Sequence, residues 1–80
     1  MHDHSQIKPF LVRVLTPADR HGEPAPFVLY IAMFATEDAA MEAVKKAIAP
    51  GWHVDKVVGE AEESLVRRRR LAAGEVERLA

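Results

Sequence analysis

Phe27-Val28-Leu29-Tyr30-Ile31-Ala32-Met33-Phe34 is the stretch on which the fold turns. It is rich in aromatic and β-branched residues, and its length suits a strand. Alternation places Phe27, Leu29, Ile31 and Met33 on one face and Val28, Tyr30, Ala32 and Phe34 on the other. Neither set contains a charge, so the strand is expected to be covered from both sides. The rest of the chain, or a partner, has to supply that cover.

The residues that follow predict a helix over about 37–49. Thr36 is a good N-cap, and Glu37 and Asp38 suit the positive end of the helix dipole. Ala40, Met41, Val44, Ala47 and Ile48 recur at helical spacing and form one apolar stripe. Glu42 and Lys46 are four residues apart, the spacing of a supporting ion pair. Lys45 and Lys46 suit the C-terminal end, and Ala49-Pro50-Gly51 stops the helix.

Upstream, Lys8-Pro9 leads into Phe10-Leu11-Val12-Arg13-Val14-Leu15, read as a first strand. Residues 16–26 connect it to the second. They contain Pro17, Pro24, Pro26 and Gly22, which exclude regular structure. This connection is longer than the two to five residues usual in a hairpin. Residues 1–8 read as a flexible polar tail.

Downstream, Trp52 to Val58 is a third, weaker strand. Its alternation slips at Lys56-Val57, which predicts a bulge or an early end. A second helix is expected to begin near Glu60, with Glu60, Glu62 and Glu63 early and Arg67 to Arg70 late, as the dipole prefers. Ala61, Leu65 and Ala72 form its narrow apolar stripe, which Val76 and Leu79 would extend. Gly74 favours a break that leaves residues 75–80 as a tail with a short strand. A helix running on through Gly74 would cost about 1 kcal/mol relative to alanine.

The expected architecture is a single α+β domain, a small β-β-α-β-α two-layer fold. It combines an antiparallel first strand pair with a βαβ unit, and residues 9–74 make up its core. At 80 residues there is room for one domain and a thin core. There is no cysteine, which excludes disulfides and thiolate chemistry and suits a cytoplasmic setting. Eleven basic and twelve acidic residues give a net charge of −1, which removes the simplest case for nucleic-acid or anionic-membrane binding. No apolar run approaches the roughly 20 residues of a membrane helix, and the N-terminus lacks the apolar core of a signal peptide.

The chemistry-bearing residues are dispersed. His2 and His4 lie in the tail, and no spacing brings three or four metal ligands together. His53 and Asp55 are two apart on a strand, a base-and-orienter spacing with no nucleophile beside it. Asp19, Arg20 and His21 could serve a site beneath the 16–26 loop, but no reacting pair accompanies them. No catalytic residue, metal site or cofactor is therefore expected.

Two binding readings remain. The first is a non-enzymatic protein-interaction domain that pairs chiefly with itself as a homodimer, and with another protein as a lesser option. Tyr30, Phe34 and Trp52 are its candidate interface residues. It rests on the two-sided apolar strand, because a narrow second helix is a thin cover for one face. The face left short is either the one carrying Tyr30 and Phe34 or the one carrying Leu29 and Met33. The alternative is a nucleic-acid-binding module using Arg67, Arg68, Arg69 and Arg70. It is the less favoured, because consecutive helix positions point all round the axis and no aromatic is interleaved to stack bases.

Overall fold

A computed structural model describes residues 6–17 and 26–79. It shows an α+β domain with one four-stranded sheet and two helices. The elements are β1 (Lys8–Leu15), β2 (Phe27–Phe34), α1 (Glu37–Ala47), β3 (His53–Glu60), α2 (Glu63–Arg69) and β4 (Val76–Arg78). The sheet order is β3-β1-β2-β4, and every neighbouring pair is antiparallel.

The first strand pair is regular from Lys8↔Phe34 to Leu15↔Phe27. The Thr16 amide closes its end by donating to the Pro26 carbonyl at 2.9 Å. β2 and β3 are both antiparallel to β1, so they run in the same direction with β1 between them. The βαβ unit is therefore split, with α1 crossing over an inserted strand.

The first face of the sheet is sealed by α1. Phe10, Val12 and Val14 of β1 and Tyr30 and Ala32 of β2 form the core with Ala40 and Val44 of the helix. Phe34, Met41, Ile48, Trp52 and Val54 pack around them. Thr36 caps the helix as its sequence implies, its hydroxyl accepting from the Ala39 amide at 3.1 Å.

β3 departs from the expected boundaries. It begins at His53 and continues to Glu60, displacing the start of the second helix to Glu63. Val12 faces Val57 while Leu11 faces Gly59, and Val14 faces Val54 while Arg13 faces Lys56. Val58 and Asp55 are the extra residues of two bulges that flank the Lys56-Val57 slip. The bulges let an irregular sequence stay in the ladder, and Gly59, at φ 154, takes a backbone angle that side chains disfavour. The acids at Glu60 and Glu62 therefore lie in or just after a strand, not in a first helical turn.

α2 is short and ends at Arg70, which adopts a left-handed conformation at φ 55. The chain then turns at Gly74, φ 83, whose amide donates to the Met33 carbonyl at 2.7 Å. The terminal segment becomes β4 against β2, so it is a strand and not a helical extension.

Candidate functional site

Strand register decides which residues share the second face. Leu15, Arg13 and Leu11 of β1 stand opposite Phe27, Leu29 and Ile31 of β2, and Ile31 stands opposite Glu77 of β4. The Leu79 amide donates to the Leu29 carbonyl at 2.8 Å, which carries this row to the end of β4. The chain must pass from the β3 edge to the β4 edge through α2, and the Arg69 guanidinium pairs with Glu77. That contact places α2 beside β4, on the face that carries Glu77.

The cover is uneven. Ile31 is 0% exposed and Met33 is 8% exposed, so the end of the face near α2 is closed. Half-buried Ala61, Leu65, Val66 and Leu71 come from α2 and its flanking turns. At the other end Phe27 is 56% exposed, and Leu15, Leu29 and Leu79 around it are only half-buried. The result is an apolar patch at the hairpin end of the sheet. Its charges are largely satisfied within the chain. Arg13 Nε donates to Asp55 at 2.7 Å, and its guanidinium carbon lies 5.6 Å from the Phe27 ring centroid.

The sheet edges offer less. β3 is the longer open edge, but its two bulges and Lys56 interrupt the flat row of donors and acceptors that another strand would need.

The structure disperses the residues singled out from sequence. Tyr30 is buried under α1, Phe34 is half-buried against the same core, and Trp52 is half-buried at its margin, under the guanidinium of Arg78 at 5.5 Å. Among the described residues the most exposed large apolar side chain, Phe27, lies on the opposite face. A signal for this was available: if strand one ends at Leu15 and strand two starts at Phe27, pairing those ends puts Arg13 on the Leu29 face and marks it as the wetter one.

Asp55 does not orient His53; the bulge turns it to Arg13. Among the four arginines, Arg67 pairs with Glu63 at 3.3 Å and Arg69 pairs with Glu77, while Arg68 and Arg70 are exposed outside any ion pair among the described residues. The Glu63 pair follows from spacing; Glu77 is a long-range partner that no local pattern announces. His2, His4, Asp19, Arg20 and His21 lie outside the described residues. Among the described residues, no three His, Asp or Glu side chains converge as metal ligands, and no helix is long and apolar enough to cross a membrane.

Comparison with protein-family models, with curated proteins and with solved structures gives no match for this chain.

Proposed function

We propose that this domain acts by self-association, forming a homodimer through the hairpin end of its second sheet face. The observation that carries the proposal is Phe27, an aromatic more than half exposed beside half-buried Leu15 and Leu29. Large aromatics in apolar surroundings are the usual anchors of interfaces. The charge arrangement supports a second copy as the occupant. The Arg13–Asp55 and Arg69–Glu77 pairs balance most of the charge on this face, so a two-fold partner would meet little like charge beyond Lys56, which stands opposite Arg13. Binding to another protein through the same patch is the broader form of this reading. Nucleic-acid binding through Arg67 to Arg70 has less support, because phosphates would compete with carboxylates already held by two of the four.

The test is light scattering coupled to size exclusion over roughly 1–100 μM, a range that spans weak to moderate dimers. The wild-type mass should rise to that of a dimer, and Phe27→Glu should remain monomeric with an unchanged circular dichroism spectrum. A wild-type chain that stays monomeric throughout, or a Phe27→Glu variant that dimerises equally well, removes the proposal.

A further inference from the structure

A groove of about 480 Å³ opens between the C-terminal end of α1 and the start of β3. Its walls include Ile48, Pro50, Trp52 and Val54, with Lys45 at the rim. This volume lies within the range of small-ligand sites. It is separate from the Phe27 patch, since Trp52 and Val54 pack with the core on the α1 side of the sheet.

The surrounding charge is one-sided. Lys45 and Lys46 end the helix, and Arg78 stacks over Trp52 at 5.5 Å. Among the described residues none of these three cations takes part in an ion pair, and the expected Glu42–Lys46 pair is not formed. Among the described residues no carboxylate lines the groove. The helix C-terminus contributes about half a negative charge, which the two lysines outweigh. In a chain of net charge −1, this is a local positive site built around the sole tryptophan.

We propose that the groove binds a small planar anion, an aromatic carboxylate in chemical class. The apolar ring would lie against Trp52 and Val54, and the carboxylate would face the Lys45 ammonium. Arg78, on the indole, holds Trp52 in place and adds positive potential without entering the groove. Charge selects the anion, and the indole and the aliphatic wall select a flat apolar body.

Trp52 is its own reporter, because no other tryptophan contributes fluorescence. The probe is benzoate, with benzyl alcohol as a neutral analogue of nearly the same shape, each titrated against the full chain at constant ionic strength. Benzoate should change the emission saturably, and benzyl alcohol should bind at least about tenfold more weakly, a difference of roughly 1.4 kcal/mol. Lys45→Gln should weaken benzoate by about the same factor and leave benzyl alcohol unaffected, with the thermal midpoint unchanged. The absence of a saturable benzoate response overturns the proposal. So do equal affinities for the two probes, which would mean an apolar groove without charge selection, and a Lys45→Gln variant that binds benzoate as the wild type does.

Discussion

The two faces of the sheet are covered by helices of unequal quality. α1 has eleven residues, a side-chain cap at Thr36, acids in its first turn and bases in its last, and Ala40 and Val44 fully buried. α2 has seven residues, no side-chain bond from its N-cap Glu62, no buried residue, and an arginine in a left-handed conformation at its end. A helix of that length is not stable alone and depends on what it packs against. The α1 face is thus a finished core. The α2 face is finished over Ile31 and Met33 and open around Phe27, which is why self-association is proposed there.

The largest effect should come from a contrast within the second face. Ile31 is as buried as any residue of the α1 core. Ile31→Ala should cost about 3 kcal/mol, through lost burial and an unfilled cavity. Phe27→Ala, at low protein concentration, should cost less than about 1 kcal/mol because its ring is already more than half in water. Urea denaturation of the two variants checks this. Similar losses at both sites would mean that the second face is covered along its whole length.

That contrast also marks the limit of what the sequence could say. The apolar set on each side of β2, the helix after Thr36 and a turn at Gly74 ahead of a terminal strand were legible, because each is written in local residues: alternation, a cap, a glycine; the end of α2 was not, since it stops at Arg69 and not at Gly74. The choice between the two faces was not local. It depended on which residues of β1 stand opposite which residues of β2, and a strand apolar on both sides carries no hint of its own. β3 was illegible for a different reason. Two bulges break its alternation twice, so a strand ending at Glu60 resembled a helix starting there. Of the apolar patch, Phe27 and Leu29 could be read as one set, but not Leu79, which joins it only through the pairing of β4.

The difference between the helices should reappear in their caps. Thr36→Ala removes an acceptor for the Ala39 amide and should cost about 1 kcal/mol. Glu62→Ala removes no cap bond and should fall within about 0.5 kcal/mol of the wild type. Denaturation midpoints in urea read both. An equal loss at Glu62 would show that α2 is held by its N-terminal charge and not by packing alone.

The smallest effect concerns the other end of α2, where a gain is expected. Arg70 sits at φ 55, a conformation that costs a side-chain-bearing residue about 1–2 kcal/mol, and its amide donates to the Arg67 and Val66 carbonyls. Glycine adopts this conformation without penalty but loses more entropy on folding, by roughly 0.5–1 kcal/mol. Arg70→Gly should therefore stabilise the domain by about 0.5–1 kcal/mol, seen as a rise of about 2–8 °C in thermal midpoint. Arg70→Ala separates the causes, because it removes the same charge and keeps the unfavourable backbone angle. A midpoint that rises for glycine and not for alanine assigns the weakness of α2 to its backbone. An equal rise for both assigns it to repulsion within Arg67 to Arg70, and the weakness of the second cover would then be electrostatic and open to relief by salt.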